Sequence, residues 1–270
     1  MNTAVKHLQH GLDIGFSELG DGRPVLVIHG GGGPATVSGI AQQLSDDYRT
    51  VTPTLPGWNG ASRPDWLTRI DQLATALLEL LEAEGLRELA VIGSSIGGWI
   101  AAEMAIRDHD AGRITGLVLV DSVGVAIPGQ PIRDFFSLDA AGIARYSFAD
   151  SDRFFTDPTT VPEAQKSAQQ ANMVSLKLLA GDPYMHDPEL LDRLTQIGIP
   201  TLVIWGDSDG IVTPAYGRAF ADAFAHGRFE LVANAGHLPQ IEQPTATLEL
   251  IRNYLQQTEA ADAITFAREA

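Results

Sequence analysis

Short apolar runs alternate along this chain with longer stretches of helical period, and that alternation admits few folds. Strands joined through helices are parallel neighbours, because a parallel crossover needs a dozen or more residues and a helix supplies them. Val25-Leu26-Val27-Ile28 follows the turn-forming Asp21-Gly22-Arg23-Pro24 and reads as a buried strand. Leu89 to Ile92, Leu117 to Val120, Thr201 to Trp205 and Phe229 to Val232 read the same way. The first four are almost continuously apolar, the pattern of strands covered on both faces.

The intervening segments carry helix signals. Ile70, Leu73, Leu77, Leu78 and Leu81 fall at helical spacing within 66–84, and Gly85 is placed for a left-handed C-terminal cap. Ile96 to Arg107 is helical in pattern. Pro214 to Phe224 has Thr213 as N-cap and Pro214 at the first helical position, and Pro244 starts a further helix. A weak extra helix is expected from about Thr258. Between Val125 and Thr195 the alternation stops. That stretch has no core strand, several prolines, the aromatics Phe135, Phe136, Tyr146, Phe148, Phe154 and Phe155, and a helical pattern from Ala164 to Leu179. We read an α/β core domain in 1–124 and 196–270, interrupted by a helical lid domain in 125–195. The aromatics serve either a pocket or the lid's own core.

Composition narrows the chemistry. The chain holds no cysteine, which removes disulfides, thiolate zinc sites and a cysteine nucleophile. Its net charge of −16 argues against nucleic acid or anionic membrane as partner, since both need clustered Lys and Arg. The first twenty residues carry Lys6, Asp13 and Glu18 and no apolar h-region, and no apolar run approaches the ~20 residues that span a bilayer. A cytoplasmic protein acting on a small molecule, monomeric or homodimeric, is the expectation.

The residues that carry chemistry lie at strand ends. Gly93-Ser94-Ser95-Ile96-Gly97 has the form G-x-S-x-G between a predicted strand and a predicted helix. A sharp strand-to-helix turn crowds the positions two residues either side of its centre, so only glycine fits there. Ser95 then stands exposed at the C-terminal edge of the sheet as candidate nucleophile, and the Ile96 N–H is a candidate oxyanion donor. A purely structural turn or a phosphate-binding loop fits the same five residues, but no Gly-Lys-Ser/Thr follows to make a Walker A loop. Ser94 lacks the glycine spacing and is expected to hydrogen-bond locally. His29-Gly30-Gly31-Gly32-Gly33-Pro34 follows the first strong strand and can aim N–H groups inward, with Gly31 the chosen second donor. The spacing fails the G-x-G-x-x-G of dinucleotide loops. His29 itself is expected to be buried and structural.

Of seven histidines, His237 lies in Ala235-Gly236-His237-Leu238-Pro239, just past the last predicted strand, where a loop residue can reach Ser95 as base. His7, His10, His109 and His226 sit among polar residues; His186 lies near Tyr184 in the insertion. For the acid, Trp205-Gly206-Asp207-Ser208-Asp209-Gly210 ends the penultimate strand. Asp209 is preferred, Asp207 would brace the loop, and Asp121, which ends the strand before the insertion, is a third candidate. The order Ser, Asp, His matches one of the known triad orders.

Taken together, His29 to Gly33, Leu55-Pro56-Gly57-Trp58, Gly93 to Gly98, Gly206 to Asp209, Gly236-His237 and Glu242-Gln243-Pro244 resemble the α/β-hydrolase superfamily over nearly the whole chain. The resemblance implies an eight-stranded, mostly parallel sheet, a nucleophile elbow, a lid, and Ser95, Asp209 and His237 as triad. Hydrolysis of an ester, thioester or amide of a small, largely apolar molecule through an acyl-enzyme is the expected activity, with neither metal nor organic cofactor. The Gly-Gly-Gly-Gly and Gly-Ser-Ser-Ile-Gly-Gly motifs also resemble those of carbon–carbon hydrolases of ring-fission products. Those carry a tryptophan after the catalytic histidine and a lid arginine for the substrate carboxylate. Here Leu238 follows His237, and Arg133, Arg145 and Arg153 match no such motif. A lyase or perhydrolase could use the same triad, and a binding protein could carry the same frame around an inert pocket.

Overall fold

The computed structural model describes the backbone of residues 2–269 and the side chains of residues 2–260. Eight strands form one sheet among the described residues: β1 (Asn2–His7), β2 (Asp13–Leu19), β3 (Pro24–Ile28), β4 (Arg49–Thr54), β5 (Leu89–Ser94), β6 (Ile114–Val120), β7 (Thr201–Gly206) and β8 (Gly227–Val232), in the order β1-β2-β4-β3-β5-β6-β7-β8. From β4 to β8 neighbours run parallel, while β1 and β2 are antiparallel. The fold is therefore the α/β-hydrolase fold.

The helices are α1 (Ser38–Leu44), α2 (Ile70–Ala83), α3 (Ile96–Arg107), α4 (Ala140–Ser147), α5 (Ser151–Phe154), α6 (Glu163–Ala180), α7 (Leu190–Arg193), α8 (Pro214–Asp222), α9 (Pro239–Glu242) and α10 (Pro244–Glu269). The weak helix expected from Thr258 lies largely outside the fully described residues; α10 runs through its position.

The two-residue period of the strands sorts the core into two layers. Val25, Val27, Ala90, Ile92, Val118, Val120, Leu202 and Ile204 face α1 and α10, meeting Ile40, Leu44, Leu248 and Ile251. Leu26, Ile28, Val91, Leu117, Leu119, Val203 and Trp205 face the other way, onto α2, α3 and α8. Each fully buried Leu or Ile contributes about 2 kcal/mol to this arrangement. Helix ends follow their sequence signals. Gly85 adopts φ +64°, the Leu86 N–H closes back on Leu81 O at 2.8 Å, and the Thr213 side chain accepts from the Tyr216 N–H.

Three strands escape a reading of the residues alone. β1 and β4 are not apolar runs, and β2 buries only Ile14 and Phe16 at alternate positions. β4 also contains Pro53, which normally argues against a strand interior. Its register with β3 ends at Leu26↔Val51, so the proline lies past that ladder, opposite Phe16 of β2.

Between β6 and β7 the chain adds no strand to the sheet and instead builds α4 to α7. Asp139 caps α4 through a 2.7 Å bond from the Gly142 N–H, and Asp150 caps α5. The start of this segment is tied to the core by Tyr216, whose hydroxyl accepts from the Val125 N–H at 3.1 Å and donates to Val125 O at 2.9 Å. Leu176, Leu179 and Met185 continue the α3-side core into the insertion. No described helix is long and apolar enough to cross a membrane.

Candidate active site

β5 ends at Ser94, α3 begins at Ile96, and the chain reverses at Ser95 with φ +55° and ψ −119°. This left-handed backbone is strained for a serine and is tolerated only because the surroundings leave no other path. A Cβ on Gly93 would lie 2.3 Å from Gly97 O, and one on Gly97 would lie 2.4 Å from Ile28 O. Any side chain at either position would push α3 off the sheet. The turn lifts Ser95 to partial exposure at the mouth of a cavity.

His237 Nε2 lies 3.1 Å from Ser95 Oγ, and His237 Nδ1 lies 2.8 Å from Asp209 Oδ2. The other Asp209 oxygen accepts the N–H groups of Ile211 at 2.7 Å and Val212 at 3.1 Å. The Trp205 indole in turn donates to Val212 O at 3.0 Å, fixing that loop to β7. Asp209 is therefore buried, with both carboxylate oxygens hydrogen-bonded. Asp207 is exposed and accepts from its neighbour Ser208, so it does not brace the loop as expected. His7, His10, His109 and His226 are exposed, and His186 bonds to Tyr184 O away from the cavity.

The glycine loop is held from behind. His29 is fully buried; its Nε2 accepts the Leu55 N–H at 3.1 Å, which leaves the proton on Nδ1 to donate to Gly30 O at 2.7 Å. Burial pushes His29 down to about 4, so the ring stays neutral and the tautomer is fixed. Gly33 N–H also closes on Gly30 O at 3.1 Å, and the Trp58 indole donates to Gly31 O at 2.8 Å. With Gly30 O held by the His29 ring and the Gly33 N–H, the planar trans peptide leaves the Gly31 N–H pointing away from them, and Gly31 itself lines the cavity. The Ile96 N–H belongs to the first turn of α3, whose donors have no acceptor within the helix.

Two residues to which the sequence assigns no role in the site support this frame. Glu242 of α9 accepts the Gly236 N–H at 2.5 Å and the Ala149 and Asp150 N–H groups at 3.0 and 3.1 Å, joining the histidine loop to the insertion. Gln240 donates to Ser94 Oγ at 3.2 Å and to Thr36 O at 3.3 Å. Ser94 thus pairs with a distant residue rather than locally, because its side chain is buried between the elbow and α9. Glu242 had a sequence signal in its Glu-Gln-Pro context, but its partners are backbone groups that no pattern displays.

The cavity measures about 600 Å³. Its floor is Gly30 to Gly32, Ser95, Ile96 and His237; its walls come mostly from the insertion, including Phe135, Ile143, Phe148, Phe154, Met173, Leu176 and Tyr184. The insertion aromatics divide. Phe135, Phe148 and Phe154 line the cavity, with Phe148 stacked on Phe154 at 5.0 Å. Phe136, Tyr146 and Phe155 do not line it; Tyr146 lies under Arg133 at 3.7 Å. Trp58 and Trp99 do not line it either. Among the described residues one trio, Asp121, Asp209 and His237, brings its donor atoms within 4.8 Å of one another. A 2.8 Å hydrogen bond joins two of its members, so His237 Nδ1 and Asp209 Oδ2 are engaged with each other.

A strand-elbow-helix serine, a glycine loop and a buried acid–histidine pair on a sheet of this order define the α/β class of hydrolases. The chain belongs to the Alpha/beta hydrolase family, whose sequence model matches residues 25–250. Among curated relatives, the 2-hydroxy-6-oxononadienedioate/2-hydroxy-6-oxononatrienedioate hydrolase 2 of Pseudomonas putida is 28% identical, covering 91% of this chain and 92% of its own. Lipase 3 of Moraxella sp. (strain TA144) is 27% identical over 82% of this chain and 73% of its own. Among solved structures, a thermophilic esterase from Thermogutta terrifontis superposes with a TM-score of 0.77 at 24% identity, covering 96% of this chain and 99% of that one.

Proposed function

We propose that this protein is a serine hydrolase acting through an acyl-enzyme on an ester, thioester or amide of a small, largely apolar molecule. The observation that carries the reading is the unbroken chain Asp209–His237–Ser95, ending in a cavity walled by apolar side chains. His237 Nε2 takes the Ser95 hydroxyl proton as Oγ attacks the substrate carbonyl, and Asp209 holds the imidazole with its Nδ1–H directed at the carboxylate. The Gly31 and Ile96 N–H groups receive the oxyanion, each worth roughly 3 kcal/mol of barrier. His237 then returns the proton to the leaving group, and a water repeats the cycle to release the acid.

In this reading residues 125–195 form a lid over the catalytic floor, and its aromatics set acyl preference. A carbon–carbon hydrolase is the second reading, favoured by the coverage of the Pseudomonas putida relative. The lining speaks for the first. Arg133, engaged by Gly210 O and Tyr146, does not line the cavity, nor do Arg145 and Arg153. Lys166 is the one Lys or Arg among the described lining residues, so a dienoate carboxylate would lack a bidentate partner.

A fluorophosphonate probe should label the wild-type protein and leave Ser95→Ala unlabelled; labelling of the variant would remove Ser95 as nucleophile. Nitrophenyl esters of graded chain length should be turned over with higher kcat/KM than a vinylogous diketone acid. The reverse order would move the assignment to carbon–carbon cleavage.

A further inference from the structure

Asp121 follows the last residue of β6 with φ +44°, a left-handed backbone unusual for a non-glycine residue. It is fully buried. Its Oδ1 accepts the Gly206 N–H at 3.0 Å, and its Oδ2, also buried, meets no donor group. A buried carboxylate oxygen without a donor is costly, because nothing replaces the water it gave up. The groups that face it are the Asp209 carboxylate, the more distant Glu242 carboxylate and His237, with no lysine or arginine among them. Burial first, then the Asp209 charge, pushes the Asp121 carboxyl well above the usual carboxylate range. A proton on Oδ2 resolves both difficulties: the orphan acceptor becomes a donor, and two adjacent negative charges become one.

We infer that Asp121 is a positioning residue for the reaction, donating a hydrogen bond through Oδ2 to the Asp209 carboxylate. Asp209 is then gripped by the Ile211 and Val212 N–H groups on one oxygen and by Asp121 from the β6 side. It keeps one direction open, toward His237 Nδ1. Asp121 thus acts through Asp209 and never touches the substrate. The inference rests on the proposed roles of Asp209 and His237, but its first test does not require activity.

Infrared difference spectroscopy at neutral pH should show the carbonyl band of a neutral carboxylic acid in the wild-type protein and lose it in Asp121→Asn. A wild-type spectrum without that band overturns the inference, whatever Ser95 proves to do. Kinetics supply the second test. Asp121→Ala should lower kcat by roughly tenfold with KM little changed, and Asp121→Asn, whose amide N–H can still donate to Asp209, should restore most of it. The acidic limb of kcat/KM against pH should coincide for wild type and Asp121→Asn, since neither carries a charge there. A limb displaced downward by roughly one unit or more in Asp121→Asn would mean that Asp121 is an anion, and would overturn the inference.

Discussion

Two buried acids, one on a helix and one at the sheet's edge, are treated in opposite ways. Glu103 of α3, 1% exposed, receives Arg193 on both oxygens at 2.8 and 3.0 Å and also Arg107; Arg193 continues to Asp187 at 2.5 Å. Asp209, just past β7, has no cationic partner but His237 among the described residues, and its carboxyl neighbour is Asp121. The first cluster neutralises its charge with permanent cations and pins α7 to α3. The second withholds them and leaves a titratable ring in their place. A site that must pass a proton needs the second arrangement, because a guanidinium would hold the carboxylate and never release a proton at neutral pH.

The sharpest way to break this comparison is at the second cluster. Asp209→Asn should lower kcat by about 10³- to 10⁴-fold in an ester assay, because the amide can stabilise the wrong imidazole tautomer. Asp207→Asn, two residues away and exposed, should stay within about twofold. Equal losses would mean that the two aspartates share the role. At the first cluster the effect should fall on stability alone. Arg193→Ala should cost about 2–3 kcal/mol in urea unfolding, softened by the remaining Arg107, with kcat little changed. A large loss of kcat there would show that α7 and the site are coupled.

His29 offers a third case, a buried base kept neutral. Its folded value near 4 lies below the 6.5 of the unfolded chain, so below pH 6.5 the unfolded state binds the extra proton. Its contribution is present above about 6.5 and is lost as pH falls toward 4, up to roughly 3 kcal/mol. Unfolding free energies at pH 7.5 and 5 should therefore differ less in His29→Asn than in wild type. An unchanged difference would assign the acid sensitivity elsewhere.

The elements legible in the sequence are those whose determinants are local. β3, β5, β6 and β7 are buried on both faces and announce themselves as apolar runs, and α3 is bounded as its pattern predicts, Ile96 to Arg107. β1, β2 and β4 were not legible: β1 and β2 are partly exposed antiparallel strands, and β4, though buried inside the sheet, alternates threonine with Val51 and Pro53 instead of forming an apolar run. The candidate site divides the same way. Gly93, Ser95 and Gly97 are dictated by the steric demands of one turn, and short-range pattern suffices to find them. The place of Asp209 in its loop already favours it over Asp207, and it does face His237. That Ser94 pairs with Gln240 and that Phe148 rather than Tyr146 walls the cavity are tertiary decisions. Each depends on which loops the sheet brings together from separate parts of the chain. A hydrogen bond or a shared wall between such loops leaves no period and no spacing for the sequence to display.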